Sequence, residues 1–356
     1  MQSTRQGGRR CGCRPTIFRA ATGRPGGARL SSGAGPKGAG GAALRSRMIP
    51  MATLPLRMRG PPSETVSTGV RAASSTKPRE ITVSSFTTSD GASLSYEDTG
   101  SGTPLVLLPG WGCSPAFFTR NTGPLAERMR VIGLAYRGHG ESENTAYGHR
   151  IARYAADVRD LIEHLALEDV TLLGWSMGAS VIWSHYELFG DAYAKRMVIV
   201  DQSPRQYYVP GSQEWQGVQV GCFDAESLAG LITGLALNPR AMAEGIVSAC
   251  FPEGVEPSEE EVAFFAGEVD KTPGWVRAQI MTDHTNLDWR DLLPRITLPA
   301  LVIIGERSRI WGPGGAEFPA EHIPGAQVTR FADSGHMPFY HEAERFNAVV
   351  AEFVEG

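Results

Sequence analysis

The chain has 356 residues, 42% of them hydrophobic, which is enough apolar mass to bury the core of one large domain. Its net charge of −4 conceals a division: residues 1–63 carry twelve Lys or Arg and no acidic side chain, which leaves 22 basic against 38 acidic residues, about −16, in the remainder. A body of that charge repels phosphate backbones and anionic lipid, so nucleic acid and membrane surfaces are disfavoured as partners and neutral or small molecules are expected.

The first seventy-odd residues are rich in Arg, Gly, Ala and Ser, hold no acidic residue before Glu64, and lack the apolar stretch of a secretory signal. Residues 1–78 therefore read as a disordered basic leader, an organellar transit peptide directing the protein to chloroplast or mitochondrion. The alternatives are a cytoplasmic protein with a disordered tail, or a true start at Met48 or Met51. No run approaches the roughly 18 apolar residues that span a bilayer, so the mature protein is expected to be soluble. The five cysteines, Cys11, Cys13, Cys113, Cys222 and Cys250, form neither a dense framework nor a CxxC pair. Cys113, Cys222 and Cys250, outside the basic N-terminal segment, read as buried thiols of a reducing compartment, and Cys11 and Cys13 are too few for zinc, so no metal site is implied.

Ordered sequence begins near Arg79. Residues 81–100 alternate apolar and polar around Asp90-Gly91, which predicts a β-hairpin. A compact apolar strand, PLVLLPG (104–110), precedes a helical stretch to about Met129 and a second strand in VIGLAYRGHGES (131–142). A helix from about Arg150 leads to VTLLGWSMG (170–178), then a helix to Phe189 and the strand MVIVD (197–201). Strand signals then lapse for roughly ninety residues, and the segment at about 203–295 reads as an inserted helical lid. Its aromatics, Trp215, Phe223, Phe251, Phe264, Phe265, Trp275 and Trp289, read chiefly as lid packing. Strands return at ALVIIG (300–305) and AQVTRFA (326–332), followed by a closing amphipathic helix. Short strands apolar on both faces, alternating with helices, predict an α/β fold: a mostly parallel central sheet flanked by helices on both faces.

Gly174-Trp175-Ser176-Met177-Gly178 matches GxSxG, a pattern of little weight alone in a chain with 42 glycines. Its setting gives it weight, because it lies directly between an apolar strand and a helix that opens with the small residues Ala179 and Ser180. A serine pushed out of a sheet on a sharp strained turn tolerates almost no side chain at ±2, and Gly174 and Gly178 meet that demand. The helix that starts there aims amide donors at the same spot, so the Met177 N–H is a candidate oxyanion donor.

LLPGWG, YRGHGES, LLGWSMG and SGHMPF, in this order and spacing, resemble the α/β-hydrolase superfamily over residues 80–356. The GWG and GWS pairing looks like the carboxylesterases of the biotin pathway, and the wider sequence like the cofactor-free haloperoxidase and esterase group. The resemblance implies a second oxyanion amide at Trp111, although Pro109 stands where the family usually has His. It also implies His336, in FADSGHMPF, as general base for a Ser176 nucleophile. The remaining histidines, His139 of the Gly-flanked loop among them, read as core or surface residues. The triad acid is the open point. Ser308 occupies the position where the family usually places Asp. Asp201, closing the MVIVD strand, is the leading candidate because some family members, including haloalkane dehalogenases and some lipases, draw their acid from that position. Glu306 follows, and then Asp333 or no acid at all.

These readings imply hydrolysis of a small carboxylic ester or thioester through a Ser176 acyl-enzyme, with no cofactor. Dehalogenase and epoxide hydrolase chemistry would require Asp at the elbow. A hydrolase-like ligand receptor or weakly active scaffold, and an acyltransferase, are the alternatives.

Overall fold

A computed structural model describes residues 81–210, 220–311 and 314–356. The expected leader at 1–78 and Trp215 of the expected lid lie outside the described residues. Among the described residues, no helix is long and apolar enough to cross a membrane.

β1 (Thr82–Thr87) and β2 (Ser93–Gly100) form the antiparallel hairpin expected around Asp90-Gly91, with Gly91 at φ +89°. β3 (Pro104–Leu108) is followed by a short helix α1 (Thr122–Ala126), β4 (Arg130–Leu134) and the long helix α2 (Ile151–His164). β5 (Thr171–Trp175), α3 (Met177–Phe189) and β6 (Arg196–Val200) come next. Four helices then run without a strand between them: α4 (Ala225–Leu237), α5 (Pro239–Cys250), α6 (Glu259–Asp270) and α7 (Gly274–Thr285). β7 (Ala300–Gly305), α8 (Phe318–His322), β8 (Gln327–Phe331), α9 (Pro338–His341) and α10 (Ala343–Glu355) complete the chain.

The eight strands form one sheet in the order β1-β2-β4-β3-β5-β6-β7-β8. Every neighbouring pair from β4 to β8 is parallel, and only the hairpin and its junction with β4 are antiparallel. β3, β5 and β7 are buried along their whole length because both faces of the sheet are covered. The period of two sorts their side chains into two cores. Val106, Leu108, Ile132, Leu172 and Ile199 join residues of α2 and α3, such as Tyr154, Val158, Ile182 and Trp183. Leu105, Leu107, Leu173, Val198 and Ile303 join the opposite core with Leu125 of α1, Phe265 of α6 and Phe346 and Val350 of α10.

Strand order also locates the site. The chain leaves β3 toward β4 on one side and returns to β5 on the other, so the carboxyl ends of β3 and β5 flank a crevice where the direction of winding reverses, the usual ligand position in open α/β sheets. The register pairs Leu108 with Gly174 and Trp175 with Val200. Three loops therefore emerge side by side: the one through Trp111, the one through Ser176 and the one through Asp201.

Candidate active site

Ser176 is held at φ 53°, ψ −124°, outside the regions an L-residue favours, between the end of β5 and the first turn of α3. Such a conformation costs on the order of 1–3 kcal/mol and persists only where its surroundings enforce it. The enforcement is visible. Its amide donates to the Val200 carbonyl at 3.0 Å, and the glycines at ±2 leave no room for a side chain. A Cβ on Gly178 would lie 2.1 Å from the Leu108 carbonyl oxygen, and one on Gly174 would lie 2.4 Å from the Gly178 backbone. Ser176 itself is partly exposed.

Asp201 follows β6 directly and also has positive φ, 45°, which its short polar side chain tolerates better than most. Its Oδ2 lies 2.6 Å from Nδ1 of His336. The same oxygen accepts from the Ser308 hydroxyl at 2.7 Å, and Oδ1 accepts from the Gly305 amide at 3.3 Å. A carboxylate in this arrangement accepts from Nδ1–H, which makes Nε2 the lone-pair nitrogen of the neutral ring. The backbone of Asp201 is tied as well, its N–H to the Ile303 carbonyl at 2.8 Å and its carbonyl to Nε1 of Trp311 at 2.8 Å. Asp201 and His336 are both buried.

His336 reaches this position from the loop after β8. Its amide donates to the Cys250 carbonyl at 3.0 Å, and its carbonyl accepts from Nε1 of Trp175 at 2.7 Å. The residue just before Ser176 thus holds the backbone of His336, with the two rings 5.4 Å apart. Gly335 contributes room here: a Cβ would lie 2.6 Å from the Phe251 backbone.

On the other side of Ser176 the loop after β3 approaches closely. A Cβ on Gly110 would sit 3.3 Å from the Ser176 Cβ. Among the described residues no acceptor takes the N–H of Trp111 or of Met177. The Trp111 indole is turned away and donates to the Arg277 carbonyl of α7 at 2.8 Å.

The structure therefore brings Asp201 against His336, fastens His336 to Trp175, and sets Gly110, the residue before Trp111, beside Ser176. It does not bring Glu306 or Asp333 to the imidazole. Glu306 faces Arg330 at 3.9 Å, and the Asp333 amide donates to Glu342. Trp311, Trp175 and the hydroxyl of Ser308 escaped the sequence reasoning, since each acts across strands that only the fold makes adjacent. His139 did have a signal, its place between two glycines in YRGHGES. Its Nε2 accepts from the Gly112 amide at 3.2 Å. Of the aromatics expected to pack the insert, Phe251, Phe265 and Trp289 are buried, whereas Phe264 and Trp275 are exposed. Among the described residues, no three His, Cys, Asp or Glu side chains are grouped to hold a metal ion.

Together the sheet and this cluster define a member of the α/β class with a strained serine elbow and a carboxylate-imidazole pair at the carboxyl edge. A family model described as the alpha/beta hydrolase family matches residues 105–349, and the chain belongs to that family. It is 26% identical over 269 residues to the AB hydrolase superfamily protein YisY of Bacillus subtilis, covering 75% of this chain and 97% of that one. It is 25% identical over 285 residues to a non-heme haloperoxidase of Rhodococcus erythropolis, covering 76% and 98%. Among solved structures it is similar to the esterase EaEST of Exiguobacterium antarcticum, with a TM-score of 0.70, 27% identity, and coverage of 76% of this chain and 99% of that one.

Proposed function

We propose that the protein is a serine-dependent hydrolase of small carboxylic esters or thioesters, with Ser176 as nucleophile, His336 as general base and Asp201 as the acid that orients it. The observation that carries this reading is the 2.6 Å contact between Asp201 and His336, whose backbone is tied to the residue preceding the strained serine. In the first half-reaction the Ser176 hydroxyl adds to the acyl carbonyl as His336 Nε2 takes its proton. The Asp201 carboxylate keeps Nδ1 protonated and stabilises the imidazolium. The carbonyl oxygen, now negative, is met by the Trp111 and Met177 amides, which have no other acceptor among the described residues. His336 then gives its proton to the leaving alcohol or thiol. In the second half-reaction it activates a water that releases the acid and restores the serine.

The esterase among the structural neighbours supports ester chemistry for this chain. The receptor alternative rested on Ser308 standing in place of an acid, and a carboxylate beside the imidazole removes that ground. In this reading α4–α7 act as the lid over the cleft. The basic leader remains our proposal for organellar targeting, to be checked by fusing residues 1–78 to a reporter. Turnover of p-nitrophenyl esters of increasing acyl length by the purified protein tests the function. Hydrolysis that falls to background in Ser176→Ala supports it, and equal rates with Ser176→Ala refute it.

A further inference from the structure

The proposed oxyanion donor Trp111 belongs to a tight turn. The Cys113 amide donates to the Gly110 carbonyl at 3.1 Å, so Trp111 and Gly112 are its two central residues, with Gly112 at φ +74°. The peptide between those two residues is the one such a turn can flip. Pro109, just before the turn, has neither an N–H nor a side-chain acceptor to restrain it. Within the turn the Cys113 thiol donates weakly to the Trp111 carbonyl at 3.4 Å, and from a different loop His139 takes the other end of the peptide, the Gly112 amide donating to its Nε2 at 3.2 Å. Because Nε2 accepts, the proton of the neutral ring is on Nδ1, which donates to the Arg137 carbonyl at 3.1 Å.

His139 itself is fixed on every side. It is fully buried and edge-on to the rings of Tyr136 and Tyr154, with centroids 5.6 and 5.7 Å away. The neighbouring Arg137 is clamped by Asp157 and by Asp90 through hydrogen bonds of 2.6–2.9 Å. Burial also pushes the His139 imidazole down to about 4, which keeps Nε2 an acceptor at neutral pH. From the opposite side Thr272 donates to the Gly112 carbonyl at 3.1 Å. Among the described residues, however, His139 alone takes the Gly112 N–H.

From this geometry we infer that His139 is a positioning residue for the hydrolytic reaction: it locks the Trp111-Gly112 peptide and so fixes the turn whose preceding peptide, Gly110-Trp111, offers the Trp111 N–H to the developing oxyanion. The inference rests on the serine-hydrolase reading above. Loss of the lock loosens one donor without touching substrate, so its effect falls on kcat and leaves KM nearly unchanged.

The test compares His139→Phe, which keeps a ring but has no acceptor, with His139→Gln, whose amide oxygen can still reach, on p-nitrophenyl acetate. Removing an oxyanion donor outright costs about 10²- to 10³-fold in kcat, so misplacing one is expected to cost roughly 10- to 100-fold. His139→Phe should lose that much kcat with KM within about twofold, and His139→Gln should recover most of it. The inference is overturned if His139→Phe keeps its kcat, if His139→Gln is equally impaired, or if the loss follows the fraction unfolded at the assay temperature. Should His139→Phe melt below that temperature, His139→Asn, whose shorter amide falls short of Gly112, replaces it with the same expectations. Ser176→Ala run in parallel separates the two ideas. An active Ser176→Ala defeats the serine reading, whereas an inactive one beside a fully active His139→Phe defeats the positioning role alone.

Discussion

His336 and Asp201 lie 135 residues apart in the chain, yet their side chains meet at 2.6 Å, because β7 brings the end of β6 and the loop after β8 to the same edge. Asp201→Asn is expected to lower kcat on a p-nitrophenyl ester by about 10²- to 10⁴-fold, since an amide stabilises neither the correct tautomer nor the imidazolium. Glu306→Gln, which faces Arg330, should stay within twofold of the parent chain. Steady-state kinetics of the two variants reads both outcomes, and a silent Asp201→Asn assigns the acid elsewhere.

Ser308 donates to the same carboxylate oxygen that receives His336. Its removal leaves Asp201 with two of its three side-chain partners. At about 1.5–3 kcal/mol for a hydrogen bond to a charged group, Ser308→Ala should lower kcat roughly 10- to 150-fold. Ser308→Asp sets a second carboxylate against the first, and like charges so close disfavour joint ionisation. Its pH-rate profile should therefore shift its acid limb to higher pH than that of the parent chain.

The elbow has no spare volume. Gly178→Ala would force a methyl to within 2.1 Å of the Leu108 carbonyl oxygen, an obstacle of backbone that no rotamer can relieve. The expected cost is about 3 kcal/mol or more, a fall of roughly 6–12 °C in the thermal midpoint by calorimetry. A wild-type midpoint in this variant would mean that the elbow is far looser than described.

Stability should fall in mild acid. Burial pushes His139 and His185 down to about 4 and His284 to about 3, against an ordinary value near 6.5. The unfolded chain therefore gains these protons first as pH falls. The stability is complete above about 6.5 and is lost progressively toward the folded values. Between pH 7.5 and 5.5 the three residues together account for about 4 kcal/mol, on the order of 10 °C in the midpoint. Asp157 and Asp283 are raised by burial and act in the opposite sense, but nearer the usual carboxylate range. A midpoint unchanged over this interval would contradict the buried neutral histidines.

Much of the architecture was legible because it is local. Apolar runs such as PLVLL and ALVIIG are strands covered on both faces, and a Gly-flanked serine between a strand and a helix is read from neighbours in the chain. The partner of His336 was harder. Asp201, Glu306 and Asp333 all close strands or follow them, and only the lateral order of β6, β7 and β8 decides which carboxylate faces the ring. Long-range polar contacts were out of reach for the same reason. Nothing near Gly112 in the chain announces His139, and nothing near Asp201 announces the Trp311 indole. The closing amphipathic helix expected over 341–356 is α10, and the short α9 before it, ending at His341, carried no separate signal.

The most direct measurement is intact-mass and peptide analysis after treatment with a fluorophosphonate, which reacts with a serine only where an imidazole activates it and amides receive the oxygen. The account predicts one adduct per chain, located on Ser176, absent in Ser176→Ala and formed far more slowly in Asp201→Asn. No adduct on the folded wild-type protein, or one located on another residue, would contradict it.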